Sequence, residues 1–241
     1  MAIYFISDIH LEPGRPALAQ GFANYLKDLA AKGDASQLYI LGDFFEVWMG
    51  DDFVNPFVDQ VKAALKALSD TGTDIFLMHG NRDFLLGEDF CRDAGCTLLQ
   101  DPSVIQLGEE KVLLMHGDSL CTEDVEYMKI RQVFRSEAWQ KDFLSKSIEE
   151  RIAFARQVRS ESQSGQEMKS AEIMDVTQSE VERELTAHNV NIMIHGHTHR
   201  PATHQLDNGK TRYVLGDWSD KNGWEIRWDE NSGIKLREFA L

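Results

Sequence analysis

The sequence is short of cysteine, of basic residues and of long apolar runs. Its three cysteines, Cys91, Cys96 and Cys121, are an odd number at spacings that fit neither a disulfide framework nor a zinc ribbon. Lys and Arg number 25 against 40 Asp and Glu, a formal net charge of −15. Such an excess of acid argues against a protein that coats nucleic acid by neutralising phosphates, so no nucleic-acid partner is expected. No apolar run approaches the ~20 residues that cross a bilayer. The opening residues Met1 to Asp8 carry no basic stretch and no cleavage signature, so no signal peptide is expected. What remains is an ordinary globular composition, 42% hydrophobic and 27% charged over 241 residues. It suits one domain, or one domain with a sizeable insertion, in a soluble enzyme of the reducing cytoplasm.

Short apolar runs alternate with amphipathic stretches through the first half. Ile3-Tyr4-Phe5-Ile6, Leu38-Tyr39-Ile40-Leu41, Ile75-Phe76-Leu77-Met78 and Val112-Leu113-Leu114-Met115 each read as a buried strand. Helical spacing lies between them, as in Phe22, Leu26, Leu29 and Val58, Val61, Leu65, Leu68. The alternation predicts an α/β core with helices on both faces of the sheet. After Ile192-Met193-Ile194 the segments shorten, and Asn208-Gly209, Asn222-Gly223 and Ser232-Gly233 are hairpin signals, predicting a largely antiparallel second sheet. The expected whole is a single domain over 1–241, a two-sheet α/β sandwich without internal repeats.

The stretch Asp124–Ser170 departs from this. It has no Gly or Pro before Gly165 and carries nine basic against eight acidic residues, a net of +1. We read 124–170 as a helical insertion laid over the core, with Ser160–Gln166 as a mobile loop near its end. Its apolar residues Met128, Val133, Phe134, Trp139, Phe143, Leu144 and Ile148 are by themselves better explained by a face turned to the core.

Acids and imidazoles recur where the predicted strands end: Asp8 and His10, Asp43, Asn81, His116, then His197 and His199. In an open α/β sheet, ligands bind outside the carboxyl ends of the strands, so these side chains should converge on one crevice. The oxygen donors Asp8, Asp43 and Asn81 and the imidazoles His10, His116, His197 and His199 make a mixed set without thiolate. That set suits two closely spaced divalent ions sharing a carboxylate. Manganese fits it, with iron and zinc as competitors. Each block alone is weak, since Asp-x-His or Gly-Asp after a strand is usually a turn. Five such blocks in order, each after a predicted strand, make chance a poor account. Strand alternation turns His195 away from the site.

Asp8-x-His10, Gly42-Asp43, Gly80-Asn81-Arg82-Asp83, His116-Gly117 and Gly196-His197-x-His199 resemble the motifs of the calcineurin-like metallophosphoesterases. Within that family the flanking residues look like the branch that hydrolyses UDP-2,3-diacylglucosamine in bacterial lipid A synthesis. Most of the family has histidine where Arg82 stands; this branch has arginine, which suggests phosphate binding rather than proton donation. The resemblance implies a first ion held by Asp8, His10, Asp43 and His199. The second would be held by Asp43, Asn81, His116 and His197, with Asp43 as the bridge. It also implies hydroxide attack on the α-phosphorus without a covalent intermediate, releasing UMP. Asn81, Arg82 and His116 would join Asp43 in the catalytic set. Substrate contacts would fall to Asn81, Arg82, Asp124, Ser162, Gln166, Lys169 and His197, although the relatives have Asn at the position of Gln166. Asp83 and Asp118 read as groups orienting histidine ligands or as plain turn residues. The resemblance makes the insertion a lid that accepts two acyl chains. It places a monomer peripherally on the anionic cytoplasmic face of the inner membrane. Another nucleotidase or phosphodiesterase of the same family is the main rival, and a non-enzymatic scaffold that has kept the fold is a weaker one.

Overall fold

Strand β1 (Ala2–Ile6) is buried on both sides, and its alternation assigns each residue to one of two cores. Ala2, Tyr4 and Ile6 face a helical layer, while Ile3 and Phe5 face a second sheet. The computed structural model describes residues 1–166 and 175–241, and of side chains it leaves out those of 159–166 and Asn208 as well. Strand β2 (Ala35–Leu41) repeats the division, with Leu38 and Ile40 on one side and Tyr39 and Leu41 on the other. β3 (Asp74–Met78) and β4 (Cys96–Leu99) continue the parallel run, giving the order β1-β2-β3-β4 on this side of β1.

The helical layer follows from local sequence. Helix α1 (Pro16–Lys32) begins on proline and places Leu18, Phe22, Tyr25, Leu26 and Leu29 on one face. It ends at Gly33, whose φ of 65° is a left-handed cap that glycine adopts without a Cβ clash. Helix α2 (Pro56–Ser69) is capped by Asn55, whose side-chain oxygen accepts from Val58 N at 3.0 Å. With α3 (Glu88–Ala94) these helices cover one face of the first sheet.

Strands β5 (Ser103–Leu107), β6 (Glu110–Met115), β7 (Ile192–His195), β8 (Ala202–Gln205) and β9 (Thr211–Val214) form the second sheet, ordered β5-β6-β7-β9-β8. Val112 and Leu114 point to the first sheet, whereas Leu113 and Met115 pack with Val181 and Leu185 of α7 (Gln178–Ala187). Each sheet therefore carries helices on its outer face only, because the inner faces cover each other.

The sandwich is as expected, but the strands are dealt differently. β10 (Asn222–Asp229) and β11 (Gly233–Ala240) join the first sheet beside β1, so the C-terminal strands do not make up the second. The second sheet is mixed, with β6, β7 and β9 parallel. Asn222-Gly223 opens β10 instead of turning a hairpin; the turns fall at 207–209 and before Gly233. Period-two patterning fixes which faces are buried, and the choice of neighbour is left to tertiary pairing.

The insertion contains α4 (Val125–Phe134), α5 (Glu137–Leu144) and α6 (Ile148–Gln166). α6 runs through 160–166, so that segment is helical backbone and not a loop. The apolar residues of the insertion divide in two. Phe134, Trp139, Phe143 and Phe154 stack on one another and on Phe84 at centroid distances of 4.4 to 6.1 Å. Val125, Ile130 and Val133 stay exposed. Buried Arg151 ties α6 down by donating to Met49 O at 2.6 Å and to Asp52.

Candidate metal centre

The ladder between β1 and β2 continues beyond both strands. Asp8 N donates to Gly42 O, His10 N to Asp43 O, Leu11 N to Phe44 O and Glu46 N to Leu11 O. Asp8, His10, Asp43 and Glu46 are thereby held side by side. β3 delivers Asn81, β6 delivers His116, and the turn after β7 delivers His197 and His199. All seven predicted ligand residues meet at the carboxyl ends of five strands drawn from both sheets.

Two trios result. Asp8, His10 and His199 form one, and Asp43, His116 and His197 the other; within each, the donor atoms lie within 4.8 Å of one another. Asp43 faces both, with Oδ2 3.8 Å from His10 Nε2 and Oδ1 3.7 Å from His116 Nε2. Asn81 Oδ1 joins the second trio, 3.0 Å from His116 Nε2 and 2.9 Å from His197 Nδ1. In the first trio His10 Nε2 lies 3.3 Å from His199 Nε2, which lies 3.4 Å from Asp8 Oδ1.

The donors fit a pair of divalent cations. His116 Nδ1 donates to Leu41 O at 2.9 Å, which aims Nε2 at two acceptors, Asn81 Oδ1 and Asp43 Oδ1, a position that either a proton or a cation must fill. Acceptors facing acceptors call for a positive centre between them. Asp8 and Asp43 are buried, yet the groups facing them among the described residues are imidazoles, backbone amides and the Ser7 hydroxyl, with no lysine or arginine side chain. Backbone strain is concentrated here too. Asp8, His10, Asp43, His197 and His199 have φ between 48° and 68°, and among the described non-glycine residues only Asn189 shares that region. Such conformations cost about 1–3 kcal/mol each and cluster at functional sites.

The electrostatics pull in opposite directions within a few ångströms. Burial pushes the Asp8 carboxyl up, but the hydrogen bond and charge of His199, with His116 and His10, outweigh it and hold Asp8 well below the usual range. At Asp43 burial prevails and raises the carboxyl, Asp83 and Asp8 adding to it against His116 and His10. Burial alone would lower His116; Asp43, Asp118 and Asp8 reverse that and lift it to about 9. His197 falls to about 4 through burial reinforced by His116. His195 lies outside the trios, as its strand position implies. It donates from Nδ1 to Gly196 O, and burial with the charge of Arg212 lowers it to about 3.

The remaining predicted residues divide. The Arg82 side chain stands at the rim, 28% exposed, with a guanidinium nitrogen 4.0 Å from Glu46 Oε1. Asp124 caps α4, accepting from Tyr127 N at 3.1 Å. Lys169 and the side chains of Ser162 and Gln166 lie outside the described residues. Neither Asp83 nor Asp118 hydrogen-bonds a histidine. Asp83 accepts from the amides of Phe44, Phe45 and Gly80 and so clamps the Asp43 and Asn81 turns together. Buried Asp118 accepts from Tyr127 Oη at 2.6 Å and Arg131 Nε at 2.7 Å, anchoring α4 beside the metal loops. Arg135 adds a bond to Gly80 O at 2.8 Å, and the Tyr127 ring lies 6.2 Å from that of His197. Sequence reasoning missed Glu46, Tyr127 and Arg131. Glu46 carried a signal, standing three residues after Asp43 on an extended segment.

Two trios of mixed oxygen and nitrogen donors, with the Asp43 carboxylate facing both at the edge of a two-sheet sandwich, define a dinuclear metallophosphoesterase. The sequence profile described as calcineurin-like phosphoesterase matches residues 1–201, and the chain belongs to that family. Its similarity extends end to end to proteins named UDP-2,3-diacylglucosamine hydrolase. One from Marinobacter nauticus is 53% identical over 244 aligned positions, covering 100% of this chain and 99% of that protein. One from Pseudomonas entomophila is 51% identical, covering 99% of each. Two solved structures share the fold: a dimetal phosphatase from Danio rerio (TM-score 0.53, 12% identity, 100% of this chain and 98% of that one) and an archaeal phosphodiesterase (TM-score 0.51, 15% identity, 100% of each).

Proposed function

We propose that this chain hydrolyses the pyrophosphate of UDP-2,3-diacylglucosamine, giving UMP and 2,3-diacylglucosamine 1-phosphate for lipid A synthesis. The observation that carries the reading is the shared carboxylate Asp43 between two donor trios, in a chain half identical along its whole length to hydrolases of that name. Asp8, His10, Asp43 and His199 hold one divalent ion, and Asp43, Asn81, His116 and His197 the other, with manganese as the preferred metal. When bound, such a pair lowers the pKa of a shared water toward ~7 and polarises phosphoryl oxygens.

The chain's own residues do the rest. Arg82, half-held at the rim by Glu46, is free to swing its guanidinium onto a phosphate and offset charge that develops on its oxygens. Leu41 O fixes the His116 ring, and Asp83 fixes the turns that present Asp43 and Asn81. Attack at the α-phosphorus puts the incoming oxygen on UMP and leaves the sugar 1-phosphate as the departing group. The chain works as one unit over 1–241, with 124–170 as a lid whose Ser162, Gln166 and Lys169 meet the substrate together with Asp124. Exposed Val125, Ile130 and Val133 beside Lys129 support contact of α4 with an anionic inner-membrane surface, made by a monomer.

The test is product analysis in water enriched in oxygen-18. UMP carrying one heavy oxygen, with unlabelled lipid 1-phosphate, is expected. Equal turnover of the acylated and deacylated UDP-sugars would remove the lipid reading and leave a general phosphodiesterase.

A further inference from the structure

Each donor trio needs its imidazoles held at one nitrogen so that the other stays aimed inward. His116 gets this from Leu41 O. In the first trio the Nε2 atoms of His10 and His199 approach each other to 3.3 Å, and His10 Nε2 also faces Asp43 Oδ2. A cation there needs His10 Nε2 unprotonated and the ring proton on Nδ1, a buried nitrogen that closes no hydrogen bond as the side chains stand although Glu46 Oε2 lies within hydrogen-bond distance at 3.0 Å. The other Glu46 oxygen faces Arg82 at 4.0 Å. Both side chains of the His10–Glu46 pair are only 13% exposed, so water competes weakly for the contact. The backbone explains the pairing: the bonds His10 N to Asp43 O and Glu46 N to Leu11 O extend the β1–β2 ladder to a bridge between Leu11 and Phe45, which brings Glu46 diagonally across from His10. The comparable acid near His199, Asp217, stands 3.7 Å from Nδ1 and is 48% exposed, beyond hydrogen-bond reach.

We infer that Glu46 is a positioning residue for the first ion, accepting the Nδ1 proton of His10 so that the ring presents Nε2 to the cation. This rests on the reading that Asp8, His10 and His199 hold a cation. A carboxylate on the far nitrogen of a ligand imidazole fixes its tautomer and orientation, and losing one costs about 10–100-fold in metal affinity.

The test uses the metal alone, so substrate identity does not enter. Apo protein is titrated with Mn2+ while the signal of the free aqua ion is followed by electron paramagnetic resonance, and melting curves confirm that each variant is folded. Glu46→Ala is expected to weaken one of the two sites about 10–100-fold and leave the other within about threefold. Glu46→Gln keeps an acceptor oxygen and should bind both ions within about threefold of the parent. Should the alanine variant fail to fold, nitrogen-15 histidine spectra of the unaltered protein loaded with Zn2+ give the answer, with His10 expected protonated at Nδ1. Wild-type affinity at both sites in Glu46→Ala, equal losses in the alanine and glutamine variants, or a proton on Nε2 of His10 would overturn the role of Glu46. If the parent itself binds no Mn2+, it is the assignment of the trios that falls.

Discussion

Gly80 offers the sharpest test of how tightly the centre is built. A Cβ placed on it would lie 2.1 Å from Asp43 Oδ1 and 2.1 Å from Asp43 N. Its φ lies outside the left-handed region, so Gly80→Ala brings no left-handed strain and acts through the contact with Asp43. Ordinary contact begins near 3.4 Å, so the carboxylate or the turn must retreat by about 1.3 Å. Asp83 resists, because it holds Gly80 N at 2.7 Å while gripping Phe44 N at 2.7 Å. A displacement of ~1 Å at a reacting centre costs on the order of 100-fold in rate. Overpacking a filled interior costs roughly 1–3 kcal/mol of stability. The assay is steady-state hydrolysis of UDP-2,3-diacylglucosamine at saturating Mn2+, with metal counted by mass spectrometry and melting followed by circular dichroism. A variant within about threefold of the parent rate, with two ions bound, would refute the claim that Asp43 must sit where these distances put it.

Arg82→Ala should lower kcat/KM by about 10²–10³-fold, the cost of losing one charge-stabilising donor, while metal analysis still finds two ions; loss of an ion would show that Arg82 supports the centre instead. Asp101 gives a pH prediction at a residue outside the donor trios. Burial, aided by Asp118 and opposed by His116, Arg131 and Arg135, raises its carboxyl from 3.8 to about 6, and neither oxygen finds a hydrogen bond. A raised folded-state value means this group favours the fold below pH ~4 and loses that contribution as pH climbs through 6. Asp101→Asn should therefore stabilise the protein by about 1–3 kcal/mol at pH 8 and little at pH 4, read from urea midpoints; an equal shift at both pH values would exclude ionisation as the cause.

The convergence of the candidate ligands was legible because these residues sit at strand ends, and strand ends can be located from apolar runs. Asp8, Asp43, Asn81 and His116 each follow such a run at once, so topology alone carried them to one place. Strand pairing was less legible: β10 alternates as any half-buried strand does, and nothing local says that it will lie beside β1 and not β9. The loop reading of Ser160–Gln166 failed because serine and glutamine resemble loop composition while α6 extends through them. Glu46 was hidden for another reason. Its place three residues after Asp43 was a signal, but its role depends on a backbone register running past two strands, and Asp118 was misjudged because its partners Tyr127 and Arg131 arrive from the insertion.

The left-handed backbone at Asp8, His10, Asp43, His197 and His199 bears on how such a chain would decay. At each of these positions folding alone favours glycine or asparagine, since neither resists that conformation as other side chains do. Selection for stability and selection for hydrolysis therefore press in opposite directions at five points of the same molecule. A descendant released from the reaction would drift first at these points, becoming a sturdier protein as it lost its chemistry.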